Sequence, residues 1–348
     1  MKFIHTSDLH LGVGLSIEKL LIQYGMMQYI LSIVTKEKPD YFVIAGDVFD
    51  KQNYGEKEAL IYRFTNQASS NPYAESEWIP LYLFLEFVKK AKELGCKILI
   101  CNGNHDPKTW EKHLVSKFDR YTSFGNDTWC NSYYLDDTDN YGKYRFILFP
   151  LSDCNTQNAE EAIKDRLDSK ALNIDASIRK IIIGHLYTDN KKSSGIRNEL
   201  GNLWLVNPEL FKEIDYVALG HRHINLSLSN TNIHYSGSPI NCGYLKDVQD
   251  EKIDIEKVCN GYINVVEMKE KGNVFVDKKR LYGKELLCFI ELSYNQFIDE
   301  DEWISRDLYR NKDGYACEMV YNWHKYLIKD RERSGLAIKR ILGMELNR

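Results

Sequence analysis

The chain has 348 residues, of which 43% are hydrophobic and 28% charged, and a formal net charge of −4, which excludes a disordered or fibrous protein. Its length exceeds what one small core needs and points to a large α/β domain with a smaller appendage. The balanced charge excludes a chain that is basic throughout, though not a local basic surface for nucleic acid, and no apolar run approaches the roughly eighteen residues of a membrane span.

The N-terminus runs directly into Lys2-Phe3-Ile4-His5, so no secretory leader is expected. Phe3-Ile4 opens a strand, and an apolar pattern over 16–37 predicts a helix. Further short β-branched or aromatic runs at 41–45, 97–101, 180–183 and 215–219 each end in a glycine or small polar turn, as buried strands do. Helical patterns occupy 56–69, 80–95, 107–119 and 158–170, with a surface loop at 69–78. Strand and helix in alternation predict an α/β sheet. From Ile224 to Ser238 the pattern alternates around Ser229-Asn230-Thr231-Asn232, which predicts a hairpin. After a polar stretch at 246–260, Gly261–Met268 and Val274–Asp277 predict a second hairpin through Lys271-Gly272. A strand at 286–292, the acidic run Asp299-Glu300-Asp301-Glu302 and two helical pieces broken at Ser334-Gly335 complete the chain. These features divide it into 1–260 and a small region, 261–348. The eight cysteines include no Cys-x-x-Cys pair, so a reduced, cytoplasmic setting is expected.

Five of the apolar runs lead into chemistry-bearing residues: Asp8-Leu9-His10, Gly46-Asp47-Val48-Phe49-Asp50, Gly103-Asn104-His105-Asp106, Gly184-His185 and Gly220-His221-Arg222-His223. In α/β sheets ligand-binding residues collect beyond the carboxyl ends of the strands, so the five are expected to converge. Each has a plain alternative when taken singly. Asp47 or Asp50 could cap a turn, Asn104-His105-Asp106 could be a tight turn before Pro107, and His221 and His223 could be solvated. In an extended strand the last two would face the same side. Taken together, carboxylates, an amide and imidazoles form the donor set of a two-metal hydrolytic centre.

This set resembles the calcineurin-like metallophosphoesterases over about residues 1–240. The strings from Phe3 to Gly12, Gly46 to Asp50, Asp215 to His221 and Tyr235-Ser236-Gly237-Ser238-Pro239 are similar to the SbcD-type DNA-repair nucleases of that superfamily. Lys51 after Asp50 and Asp106 after His105 argue against the protein serine/threonine phosphatase branch.

The resemblance implies a β-sandwich flanked by helices, with a small C-terminal α+β cap. It also implies two divalent ions, most often manganese. One would be held by Asp8, His10, Asp47 and His223, and the other by Asp47, Asn104, His185 and His221, with Asp47 bridging. His105 would face the scissile phosphate as a non-ligand catalytic residue, with Asp106 fixing its ring, while Asp50 and Arg222 are candidates for substrate contact. The implied activity is exonuclease and hairpin or single-strand endonuclease cleavage of DNA in repair or recombination, with an SbcC-like SMC-type ATPase. A homodimer at the nucleoid, with no membrane contact, is implied too. A phosphodiesterase for small nucleotides and a non-catalytic assembly subunit are the competing readings. The apolar faces Met319, Val320, Trp323, Leu327 and Ile338, Ile341, Leu342 either dock the ATPase, as the resemblance implies, or pack on the chain's own core.

Overall fold

The computed structural model describes residues 1–14, 17–50, 79–106, 122–124, 134–149, 163–165, 167, 177–188, 205–283 and 285–286. Its first elements are β1 (Lys2–Thr6), α1 (Ile17–Glu37), β2 (Tyr41–Ala45), α2 (Ile79–Glu93), β3 (Lys97–Cys101) and β4 (Thr122–Phe124). There follow β5 (Tyr134–Asp139), β6 (Gly142–Phe149), β7 (Arg179–His185), β8 (Tyr187–Thr188), β9 (Leu205–Val206) and β10 (Tyr216–Gly220). The last are β11 (Leu226–Ser227), β12 (Ile233–Tyr235), α3 (Cys242–Asp247), α4 (Ile255–Val258), β13 (Tyr262–Met268) and β14 (Val274–Arg280).

Two six-stranded sheets result among the described residues, in the orders β14-β13-β1-β2-β3-β4 and β11-β12-β10-β7-β6-β5. Strands β1 to β4 run parallel in the first, and β12, β10, β7 and β6 run parallel in the second. The sheets pack face to face. Phe3, Tyr41, Val43 and Leu99 meet Phe146, Ile181, Ile183, Tyr216 and Ala218 in one buried cluster, with Phe3 edge-on to Tyr216 at 5.3 Å between ring centroids. Because side chains alternate along a strand, Ile4, Phe42, Ile44, Ile98 and Ile100 point the other way. There they meet α1 and α2. This double burial explains why the strands read as continuous apolar runs.

The helices end where local chemistry ends them. In α1, Ile22, Met26, Met27, Ile30 and Val34 bury one face. Lys38 then turns left-handed at φ 47° and donates its N–H to Val34 O at 2.8 Å. Gly95 closes α2 at φ 83°. Its N–H reaches Lys92 O at 2.8 Å and that of Cys96 reaches Ala91 O at 3.0 Å, a Schellman pair.

Two expectations change and one element is added. The division at 260/261 cuts through a sheet, because β13 pairs antiparallel with β1 from Lys2↔Glu267 to His5↔Asn264. Val265, Val266 and Met268 lie in the core. Residues 261–280 therefore complete the first sheet rather than opening a cap. Leu286, expected in a strand, is buried in a helical turn with its N–H on Tyr282 O at 3.0 Å. The β5–β6 hairpin was not anticipated, since Tyr134–Asp139 reads YLDDTD and has little strand propensity of its own. Cross-strand pairing holds it, with Asp136 opposite Arg145 in register and their side chains 2.5 Å apart. The helices expected at 56–69 and 107–119, most of 158–170, the loop at 69–78 and everything from 287 onward lie outside the described residues.

The far end of the sandwich is tied by Arg179, a guanidinium only 1% exposed. It donates to Asp139, to Met268 O at 3.1 Å, to Lys269 O at 2.9 Å and to Gly142 O at 3.0 Å. Burial disfavours the Asp139 carboxylate, but Arg179 and the Met1 amino group hold its pKa below the usual range. A carboxyl depressed in the folded state stabilises above its unfolded pKa, and this contribution is lost as pH falls through the folded value. Asp139→Ala strands the buried guanidinium. It should cost on the order of 3 kcal/mol at neutral pH, seen as a lower urea midpoint at unchanged slope. An unchanged midpoint would show the pair to be dispensable.

Candidate metal centre

All five chemistry-bearing segments emerge at the carboxyl ends of the parallel strands β1, β2, β3, β7 and β10. Beyond β1 and β2 the two loops remain joined by backbone bonds. Asp8 N–H donates to Gly46 O at 2.9 Å, His10 to Asp47 O at 3.0 Å, and Leu11 to Val48 O at 2.8 Å. The chain turns inward by adopting left-handed backbone at Asp8 (φ 53°), His10 (45°), Asp47 (53°) and His221 (82°). Such conformations cost roughly 1–3 kcal/mol each and persist where surrounding structure enforces them. Two glycines make the approach possible. A Cβ on Gly103 would lie 2.1 Å from Asp47 Oδ1, and one on Gly220 would lie 1.9 Å from Ala45 O.

One half of the site gathers His10, His223, Asp8 and Asp47. His10 Nε2 lies 3.2 Å from His223 Nε2 and 3.7 Å from Asp47 Oδ2, and His223 Nε2 lies 3.6 Å from Asp8 Oδ1. The other half gathers Asp47, His185, Asn104 and His221. His185 Nε2 lies 3.2 Å from Asp47 Oδ2 and 3.1 Å from Asn104 Oδ1, which is also 3.1 Å from His221 Nδ1. Asp47 Oδ2 belongs to both halves. His185 Nδ1 faces Ala45 O at 2.8 Å, so it donates there and turns Nε2 inward, the atom that would give up its proton to ligate a metal.

Electrostatics favour a cation here. Asp8 and Asp47 are buried together. Burial, followed by the Asp47 charge, raises the Asp8 pKa against the pull of His185. For Asp47 burial is outweighed by His185 and His10, so its carboxyl stays below the ordinary range. Burial opposes charge on His185 as well, but Asp47 and Asp8 lift it to about 9. Burial pushes His10 and His221 down to about 4, leaving neutral imidazoles. Two converging carboxylates, an amide oxygen and neutral ring nitrogens suit a divalent ion of the transition series. The groups Asp8–His10–His223 and Asp8–Asp47–His185 each bring their ligand atoms within 4.8 Å of one another. His105 does the same with His10 and Asp47.

The place beside His105 expected of Asp106 is taken by Asp50. Asp106 accepts the N–H of Phe49 at 3.1 Å and that of Gly103 at 2.9 Å, staying inside the turn. The carboxylate on the His105 ring is Asp50, 3.2 Å from Nδ1, and this bond raises the His105 pKa. The sequence places Asp106 next to His105, but side chains of adjacent residues diverge, whereas Asp50 arrives from the neighbouring loop. His221 and His223 do not share a strand face either. The positive φ at His221 breaks the extended run, sending one ring to each half. Arg222 leaves the site and stacks on Tyr187, its Cζ 4.6 Å from the ring centroid.

His5 and His234 stay apart, packed around Tyr216 between and beside the sheets, and His113 and His324 lie outside the described residues. Sequence reasoning gave no role to Ser7 and Ser238. Ser7 Oγ donates to Asp8 Oδ2 at 2.5 Å, and Ser238 Oγ donates to Asp8 O at 2.7 Å. Their only sequence signal was a place in family-like strings.

Comparison with known proteins adds to this geometry. Residues 1–225 match the family described as Calcineurin-like phosphoesterase. The SbcD component of the SbcCD nuclease of Staphylococcus epidermidis is 28% identical over 335 residues, covering 90% of this chain and 77% of its own length. A crystal structure from Thermus thermophilus overlays with a TM-score of 0.44 at 11% identity, covering 80% of this chain and 98% of the other. That of a dimetal phosphatase from Danio rerio gives 0.41 at 8%, covering 81% and 98%.

Proposed function

The chain belongs to the calcineurin-like phosphoesterase family, and on that footing we propose that it is a two-metal deoxyribonuclease of the SbcD type, hydrolysing phosphodiesters at DNA ends and hairpins. The observation that carries the reading is the Asp47 carboxylate shared between two sets of ligand atoms, 3.7 Å from His10 Nε2 and 3.2 Å from His185 Nε2. The similarity to a nuclease component along 90% of the chain supports DNA as substrate.

Asp8, His10, Asp47 and His223 would hold one ion, and Asp47, Asn104, His185 and His221 the other. Two divalent ions, manganese in this reading, supply charge for the phosphoryl oxygens and lower the pKa of a nearby water. The chain's own residues set the geometry. Ser7 orients the Asp8 carboxylate, and Ala45 O fixes the His185 tautomer. His105 directs Nδ1 to Asp50 and so presents Nε2 outward. There it meets the scissile phosphate and gives a proton to the leaving sugar oxygen.

By analogy with the SbcCD relative, an SbcC-like SMC-type ATPase is the proposed partner, acting with a homodimer of this chain in DNA repair or recombination at the nucleoid. Residues beyond 280 are the proposed docking and capping region. No described helix is long and apolar enough to cross a membrane.

The test is manganese-dependent cleavage of end-labelled hairpin and linear DNA beside a small chromogenic phosphodiester. Cleavage of DNA is expected. Turnover of the small diester alone would instead assign a small-nucleotide phosphodiesterase. Two bound ions with no hydrolysis of either substrate would assign an assembly role.

A further inference from the structure

Arg222 sits between two proposed ligands, His221 and His223, yet its side chain leaves the centre. Its Nη2 donates to Tyr187 Oη at 3.0 Å, and its Cζ lies 4.6 Å from the Tyr187 ring centroid and 5.4 Å from that of Tyr235. Both rings belong to segments that carry the site. Tyr187 lies two residues beyond His185. Tyr235 is buried on β12, where its hydroxyl accepts the Thr188 N–H at 2.8 Å and reaches Leu186 O at 3.3 Å. One guanidinium therefore joins the loop after β10 to the segment after β7. Those two stretches present His221 and His185, whose rings meet edge to face at 5.2 Å and both reach Asn104 Oδ1.

We propose that Arg222, with Tyr187 and Tyr235, is a positioning clamp that sets the spacing of His185 and His221 and so tunes the half of the centre they share with Asn104. The proposal rests on the two-ion reading of the site. Arg222 touches no ligand atom; it acts by fixing backbone. The need for such a clamp is local. His221 holds its ring from a left-handed backbone at φ 82°, with its N–H on the Asp8 carboxylate at 3.2 Å, and Arg222 adds a tie from the next residue to the segment after β7. His223 is tied on its far side as well, because its carbonyl accepts the Ser238 N–H at 3.3 Å. The His10–His223 half should therefore be largely indifferent to Arg222. A flat guanidinium can lie on two rings and donate to a hydroxyl at once, which an ammonium cannot reproduce.

The experiment is a manganese titration of the full chain by calorimetry and electron paramagnetic resonance, comparing wild type with Arg222→Ala, Arg222→Lys and Tyr187→Phe. Wild type should bind two ions with a spin-coupled signal. Arg222→Ala should weaken one step by roughly 10- to 100-fold, the range for lost outer supports of ligands, and replace the coupled signal by that of an isolated ion. Arg222→Lys should fail to rescue, and Tyr187→Phe, which keeps the ring but loses the hydroxyl, should fall between. Equal weakening of both steps with a lower Tm would mean a general structural role and overturn the clamp. Unchanged titrations with a raised KM for DNA would make Arg222 a substrate contact and overturn it as well. A wild-type chain that binds fewer than two ions would remove the two-ion reading, a failure visible before any variant is made.

Discussion

Asp47→Asn should leave the fold intact and abolish both the metal response and DNA cleavage. The backbone at Asp47 is left-handed at φ 53°, a conformation that asparagine tolerates better than alanine. An amide oxygen can still accept the His105 N–H that Asp47 Oδ1 now takes at 2.8 Å. What disappears is the charge common to both halves. Without it neither half keeps the shared anionic oxygen, 3.7 Å from His10 Nε2 and 3.2 Å from His185 Nε2, that favours a dication. Ions at such a centre contribute several kcal/mol to transition-state stabilisation, so cleavage should fall about a thousandfold or more. A ligand that binds only the folded state raises Tm. The variant should lose the manganese-induced rise that wild type shows. A variant that keeps this rise would remove Asp47 from the centre.

His105→Ala should give the opposite pattern, two bound ions and turnover lower by about 10²- to 10⁴-fold, the usual contribution of a positioned acid. The ring is 30% exposed and turned toward Asp50, placed to meet a substrate. It also lies near His10, 4.7 Å between centroids, so metal counting is essential. Loss of an ion in His105→Ala would make it a ligand. Asp50→Asn separates its orienting partner from Asp106. Asp50 raises the His105 pKa, and an acid works while protonated. Removing Asp50 should therefore lower that pKa and move the alkaline limb of the rate profile to lower pH. Asp106→Asn should move the limb less, because its charge is the smaller contributor to His105, and should instead loosen the turn that links Gly103 with Phe49.

Much of the architecture was legible because the chain states it locally. The runs at 41–45 and 97–101 are buried on both faces, and a strand so placed cannot conceal its composition. The convergence of the site residues was legible for a different reason: carboxylate, amide and imidazole each stood at a strand end, where parallel sheets collect their functional groups. What escaped was decided by partners remote in sequence. Tyr134–Asp139 becomes a strand only because β6 lies beside it. Tyr262–Met268 belongs to the first sheet because β1, some 260 residues earlier, offers an open edge. The exchange of Asp50 for Asp106 has the same origin. Adjacency along the chain suggested one carboxylate, and the crossing of two loops supplied another. Arg222 was placed near the substrate by its neighbours, whereas its stacking on Tyr187 depends on where β8 runs.

The left-handed residues of the site carry an evolutionary consequence. At Asp8, His10, Asp47 and His221 the residue that would relax the backbone is glycine, and glycine has no side chain to coordinate anything. Selection for durability and selection for catalysis therefore pull in opposite directions at these positions. A lineage released from its substrate would find stabilising replacements there early. Replacing any of the four by glycine is therefore expected to ease the backbone while removing a side chain from the site.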